Sequence, residues 1–221
     1  MNHSVSHTKI NTLSNVHSID RNDFIIRNCE KLFNIGDRLS GIYRINSGSV
    51  KLYRSNEAGQ EQILGFYTAG DIFGLDALSD GKSQSSATIL ETSNISLIPF
   101  NTLLKRENSG DYKIFMQQVG INHNRDIDHT MMLLHCSAGR RLAWFFIKFS
   151  DNLSKRGYRA DEFTLPMTRK DIALYLGVAA ETLSRVFARF CAKGFIRIIG
   201  HQRSIKILEI DVLRNMINRD D

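Results

Sequence analysis

RKDIALYLGVAAETLSRVFARF, Arg169–Phe190, has the pattern of two short helices joined by a tight turn at Gly177. Thr168 is placed to cap the first helix, with Asp171 three residues on in an approximate capping box. Ile172, Ala173 and Leu176 form one apolar face, and Ala173 is small enough for a second helix to cross closely. Gly177 can take the left-handed conformation that ends the first helix. In the second helix Leu183, Val186, Phe187 and Phe190 fall at i, i+3, i+4 and i+7 and face a core. Glu181, Ser184, Arg185 and Ala188 repeat that spacing on the opposite side.

The outer stripe is polar, short in reach and chemically varied, which suits a DNA major groove. Arg185 can donate twice to guanine, Glu181 can accept from a cytosine amino group, and Ser184 can meet either kind of edge. The plainer alternative is a solvated face on which Glu181 and Arg185 form an ion pair worth about 0.2–0.5 kcal/mol. The residues after the second helix favour the groove. Lys193-Gly194 ends the helix, FIRIIG (Phe195–Gly200) alternates loosely as a strand, His201–Arg203 forms a turn, and SIKIL (Ser204–Leu208) returns. The whole is a winged helix-turn-helix. Arg197, Arg203 and Lys206 stand where they can touch phosphates, and Thr168, Arg169, Thr182 and Arg189 complete the candidate backbone contacts.

With the preceding LPMT, this stretch resembles the Crp/Fnr family of bacterial transcription regulators, and the Fnr branch in particular. The E-x-x-S-R signature that carries the resemblance is Glu181, Ser184 and Arg185; Crp-type relatives have glycine where this chain has Ser184. The resemblance runs from Asn22 to the C-terminal helix. It implies a homodimer binding double-stranded DNA at a palindromic promoter site with TTGAT-like half-sites, and contact with RNA polymerase, for which the loop Leu78–Gln84 is the candidate surface.

Charge supports the DNA reading. From Ser137 onward there are 16 Lys and Arg against 9 Asp and Glu, whereas residues 1–136 carry 13 against 14. A basic C-terminal part behind a nearly neutral N-terminal part points to a polyanionic partner. No apolar run reaches membrane-spanning length, and the N-terminus has neither a signal core nor an Arg-rich transit pattern, so a cytoplasmic protein is the simplest expectation. Three widely spaced cysteines, Cys29, Cys136 and Cys191, make neither a disulfide framework nor a zinc motif.

The expected architecture is α+β: a flexible tail over 1–21, a β-roll of cyclic-nucleotide-binding type over 22–110, a dimerisation helix over 111–136, and the winged helix-turn-helix over 137–221. In the roll, IYRIN, SVKLYR, EQILGFY, SATIL and ISLIPF read as short strands, with turns marked by glycines 36, 48, 59, 70 and 81. In the helix, Tyr112, Phe115, Met116 and Val119 start an apolar stripe that Ile127, Met131 and Leu134 resume, and the resemblance makes it the dimer interface. Asn122, Asp126 and Asp128 interrupt the stripe; across a twofold axis their charges would weaken the dimer, and otherwise they face solvent. Ser137-Ala138-Gly139 reads as a hinge, Leu142, Phe145, Phe146 and Phe149 as the core stripe of the next helix, Ser150–Phe163 as a loop, and Asp211–Asn218 as a short final helix.

The family's two effector chemistries have no matching residues. Where nucleotide-binding branches place a Gly-Glu pair and a later arginine, this chain has Gly74-Leu75 and Gln84-Ser85-Ser86-Ala87, with no Lys or Arg between Lys82 and Lys105. A phosphate buried there would be uncompensated. A four-iron cluster needs four converging thiolates; the tail has no cysteine before Cys29, and the roll position before Pro99-Phe100 is Leu97. The expectation is therefore no cofactor, no bound metal and an effector of unknown chemistry. All seven histidines lie outside 18–122, and His123, His129 and His135 do not share a helix face, which argues against a cupin-like enzyme. Three alternatives remain: a cyclic-nucleotide-responsive regulator, a sensor acting by protein contact, and that enzyme.

Overall fold

A computed structural model of the chain describes residues 23–57, 59–105, 110–200 and 203–218. The tail expected over 1–21, and His201 and Gln202 of the wing turn, lie outside the described residues. Two compact units, Met1–His123 and Asn124–Asp221, divide the chain.

The first unit is an antiparallel roll. Strands β1 (Asp23–Ile26), β2 (Lys31–Phe33), β3 (Gly41–Ser55), β4 (Glu61–Thr68), β5 (Ile72–Phe73) and β6 (Ser86–Pro99) join in the order β1-β6-β3-β4, with β2 on β6 and β5 on β3. Alternate residues of β3 and β6, among them Ile45, Val50, Ile89 and Ile95, fill the interior. Phe33, Tyr43 and Phe73 stack with centroids 5.4–6.2 Å apart. Burial, helped by Asp37, pushes the Tyr43 phenol up to about 12.

The roll has fewer and longer strands than the sequence spacing suggests. IYRIN and SVKLYR are one strand, and SATIL and ISLIPF are another. Gly48 marks a bulge where a turn is expected. It has φ +92°, the pairing register shifts on either side of it, and a Cβ there would lie 2.2 Å from Ser93 Oγ. Only glycine lets the bent strand approach its neighbour so closely.

Helix α1 (Phe100–Lys105) closes the roll and α2 (Gly110–His135) comes next. The second unit contains α3 (Ala138–Lys155), β7 (Glu162–Thr164), α4 (Arg169–Tyr175), α5 (Ala180–Ala192), β8 (Ile196–Ile198), β9 (Ser204–Ile207) and α6 (Ile210–Asn218). Two expectations fail here. Ser150–Phe163 is no loop: the apolar stripe continues to Leu153, Asp151 is tied to Arg214 of α6 at 2.9 Å, and α3 ends only at Lys155, two residues before Gly157 at φ +76°. Its last residues form β7, which is recruited as a third strand by β9 in the order β7-β9-β8. The expected hinge is shorter too. Ser137 is the N-cap of α3, Ala138 and Gly139 are helical, and only Cys136 and Ser137 separate α2 from α3.

Gly177 follows the C-cap of α4 with φ +60°. A Cβ there would meet Leu133 Cδ2 at 3.3 Å and Arg141 Nη1 at 3.5 Å. Gly177→Ala is expected to destabilise the second unit by about 1–2 kcal/mol, the left-handed cost for an L-residue. Urea unfolding followed through Trp144, the chain's one tryptophan, checks this; an unchanged midpoint would contradict it.

Candidate nucleic-acid interface

The helix pair is fixed from both ends. Thr168 Oγ1 accepts from the Asp171 backbone N–H at 3.1 Å, and the Asp171 carboxylate accepts from the Thr168 N–H at 2.9 Å, closing the capping box. Ile172, Ala173, Tyr175 and Leu176 are buried under Leu183, Val186, Phe187 and Phe190, and Phe146 of α3 meets Phe187 edge-on at 5.4 Å. With one face of α5 held by this core, Glu181, Ser184, Arg185 and Ala188 are all exposed on the other.

On that face the Ser184 hydroxyl donates to Ala180 O at 2.9 Å, so its oxygen points outward as an acceptor. Arg185 Nη2 donates to Thr182 Oγ1 at 3.4 Å rather than pairing with Glu181. The N-cap of α5 is Ala179, whose side chain supplies no acceptor, so the first amides of the helix remain open to an external anion.

The candidate backbone contacts are placed unequally. Arg197 on β8 is exposed and lies opposite Lys206 of β9, which in turn lies opposite Glu162 of β7 and pairs with it at 3.7 Å. Arg203 is exposed and donates weakly to Pro166 O at 3.4 Å. Arg189 is exposed, with its guanidinium against Gly139 of α3. Arg169 turns inward: its guanidinium lies over the Phe187 ring, 3.1 Å from the centroid, and burial lowers its pKa to about 10, against a raising effect of Cys191.

Along α2, Met116, Ile127, Met131 and Leu134 are exposed by 48%, 47%, 51% and 68%. At 100° per residue they and Gly120 fall within about 60° of arc. Tyr112, Phe115 and Val119 are half-buried beside that stripe. Two of the residues expected to interrupt it face elsewhere. Asn122 is buried and donates to Ile72 O at 3.0 Å, and Asp128 pairs with Lys148 of α3 at 2.7 Å.

Sequence reading missed two residues at the other end of α2. Arg141 donates through Nε to Cys136 O (2.8 Å), through Nη2 to Leu133 O (2.8 Å), and through Nη1 to Leu176 O and Gly177 O (2.9 and 3.3 Å). His129 is buried between Tyr175 and Trp144, its ring 4.0 Å from that of Tyr175 and inclined by 10°. Its Nε2 is 2.8 Å from Tyr175 O, an atom that can only accept, so Nε2 carries the proton.

Burial lowers the His129 pKa; the Tyr175 hydrogen bond and Asp126 raise it, and Arg141 lowers it further. An unfolded histidine titrates near 6.5. Between that value and the depressed folded one the unfolded chain binds more protons, so stability is complete above the window and falls as pH drops through it. From about pH 7.5 to about pH 5.5, across the unfolded pKa, the Trp144-monitored unfolding midpoint is expected to fall in the parent and to fall less in His129→Gln. Parallel pH profiles would contradict this.

Comparison with known proteins finds two family matches along the chain. Residues 26–106 match the family described as cyclic nucleotide-binding domain, and residues 140–216 that described as Crp-like helix-turn-helix domain. The fumarate and nitrate reduction regulatory protein of Escherichia coli (strain K12) is 37% identical over 211 residues, spanning 92% of this chain and 84% of that one. The fumarate nitrate reduction regulatory protein of Klebsiella oxytoca is similar to the same degree. Among solved structures, FixK2 from Bradyrhizobium japonicum matches with a TM-score of 0.78 and 26% identity over 90% of this chain and 98% of that one. A Crp/Fnr-family regulator from Thermus thermophilus shares the fold, with a TM-score of 0.72 at 17% identity, over 90% of this chain and 100% of that one.

Proposed function

The chain belongs to the Crp/Fnr family of DNA-binding transcription regulators, and from that premise we propose that it acts in the cytoplasm as a homodimer reading a palindromic TTGAT-like promoter site through Glu181, Ser184 and Arg185. Regulators of this family bind DNA and act as dimers. The observation that carries the reading is the α5 face: four short or planar-headed residues held outward by a buried apolar stripe, behind an uncapped helix N-terminus. Arg185 would donate to guanine, Glu181 would accept from cytosine, and Ser184, its proton held by Ala180 O, would accept from a base amino group. Each half of the dimer would enter a major groove, the two half-sites about 34 Å apart.

The wing supports register. Arg197 is exposed opposite Lys206, whose charge is already offset by Glu162 at 3.7 Å, so Arg197 is placed to meet a phosphate. Arg203→Ala is expected to weaken specific and scrambled DNA alike and to reduce the slope of log affinity against log salt by about one. A selective loss on specific DNA would contradict that assignment. The exposed loop around Leu78 is the proposed RNA polymerase contact.

The roll does not fit a cyclic nucleotide's phosphate. Asp76 Oδ2 accepts from the Gln84 N–H (2.9 Å), the Ser85 hydroxyl (2.8 Å) and the Ser83 hydroxyl (3.3 Å). A carboxylate of the chain thus takes the donors an entering phosphate would need and would repel it. Nearby Arg54 donates its Nε–H to Gln84 O. Among the described residues no group of three His, Cys, Asp or Glu could hold a metal ion, and no helix is long and apolar enough to cross a membrane.

The test is binding of the purified chain to a TTGAT-N4-ATCAA duplex and to a scrambled duplex at one fixed salt concentration. Tighter binding of the first is expected; equal affinities would remove the reading.

A further inference from the structure

A first helical turn that contains two arginines and no acidic residue, as in α3, runs against the helix dipole. Both arginines reach away from their own helix to the C-terminal ends of others. Arg140 donates to Ile217 O in the last turn of α6 at 2.8 Å. Arg141 alone bonds four carbonyls belonging to the ends of α2 and α4. Each of those ends carries roughly half a negative charge, so one guanidinium balances two converging helix termini.

His129 completes the arrangement. The last carbonyls of a helix have no partner within it. At the end of α4, Tyr175 O is taken by His129 Nε2, and Leu176 O and Gly177 O by Arg141 Nη1. Arg141 also holds Leu133 O and Cys136 O, so the two-residue break between α2 and α3 is bridged by one side chain. Leu133 of α2 lies under Gly177, and the ring of His129 lies flat on that of Tyr175. Three residues beyond Gly177 the recognition helix α5 begins.

We propose that His129 and Arg141 are positioning residues for sequence reading: they hold the turn before α5 in one fixed place relative to the C-terminal half of α2. Both act through the carbonyls they bind. The planar fork of arginine is needed, because it spreads five donors over three nitrogens, whereas a lysine ammonium offers three donors from one atom and cannot reach all four carbonyls at once.

The proposal rests on the DNA-reading assignment, so its test has one arm with DNA and one without. Arg141→Lys keeps the charge and removes the fork. In the full chain it is expected to reduce discrimination between palindromic and scrambled duplexes by about tenfold, within the usual range of coupling energies. Affinity for the scrambled duplex and the dimer mass should stay as in the parent. Without DNA, amide hydrogen exchange should accelerate over Leu176–Thr182 while the buried amides of α3 remain protected. A general structural role would instead speed exchange throughout the unit and weaken both duplexes together, and that result overturns the proposal, as does parent-like discrimination with parent-like exchange. If Arg141→Lys does not fold, His129→Gln, which keeps a donor for Tyr175 O but loses the ring stack, is read in the same way, and local acceleration over the same amides is again required. A parent that fails to discriminate the duplexes would refute the DNA assignment, and the exchange arm would still decide the positioning claim.

Discussion

Arg185→Ala is expected to cost about 1–3 kcal/mol of specific binding per half-site and to relax selection at one G·C pair in each. The reason is local. Arg185 is exposed on the face of α5 opposite Val186 and Phe187, so truncation removes no core contact, and its partner in the free protein is a weak 3.4 Å bond to Thr182. The folded state should therefore be unaffected, with the loss confined to the complex. A two-headed dimer makes the contact twice, so the operator loses up to twice the energy of one half-site, whereas random DNA, bound through phosphates, loses little. Binding isotherms on all four base pairs at the affected position would show the parent's preference flattened in the variant. Equal losses on operator and random duplexes would reassign Arg185 to the phosphate backbone.

The second large effect concerns the stripe on α2. Met131→Glu is expected to turn the dimer into a monomer and to abolish operator binding at concentrations where the parent is saturated. Met131 is half exposed and shares its arc with Ile127 and Leu134, so the substitution disturbs no interior packing. In a twofold interface each residue near the axis meets its own copy. Two carboxylates brought together there cost several kcal/mol, enough to raise the dimer dissociation constant by more than about a hundredfold. Sedimentation would show a mass near 25.2 kDa in place of twice that value. The Trp144 unfolding transition should persist, which separates lost assembly from lost folding. A variant that remains dimeric would place the interface elsewhere.

The DNA-binding half was legible because its signals are local. A capping box, a glycine turn and an i, i+3, i+4, i+7 stripe each act over a short stretch of chain, and Thr168, Gly177 and Phe187 stand in the structure as their spacing predicts. Most of the errors involve distant partners. Gly48 resembles a turn glycine in sequence; its role in a bulge depends on Ser93, far along the chain. Glu162–Thr164 is too short to show alternation and becomes a strand only because β9 pairs with it. Asn122 is a polar position on a helix, buried because its amide finds Ile72 O on a strand; Asp128 stays exposed, as one of the two sequence readings has it.

Arg140 and Arg141 carry a readable signal: two positive charges in the first turn of a helix oppose its dipole and call for an external set of acceptors. What the sequence could not provide is the identity of those acceptors, since the carbonyls at helix ends look the same in every helix. His129 was invisible for a related reason: its aromatic neighbours Trp144 and Tyr175 come from two other helices.

The central claim, a dimer reading two inverted half-sites, is tested most directly with three duplexes at one salt concentration: TTGAT-N4-ATCAA, the same duplex with one half-site scrambled, and the intact pair with five extra base pairs in the spacer. Five base pairs turn one half-site about half a helical turn away from the other. A dimer of this kind should bind the first tightly and lose affinity steeply on both others. Equal affinity for all three, or undiminished binding to the single half-site, would contradict it.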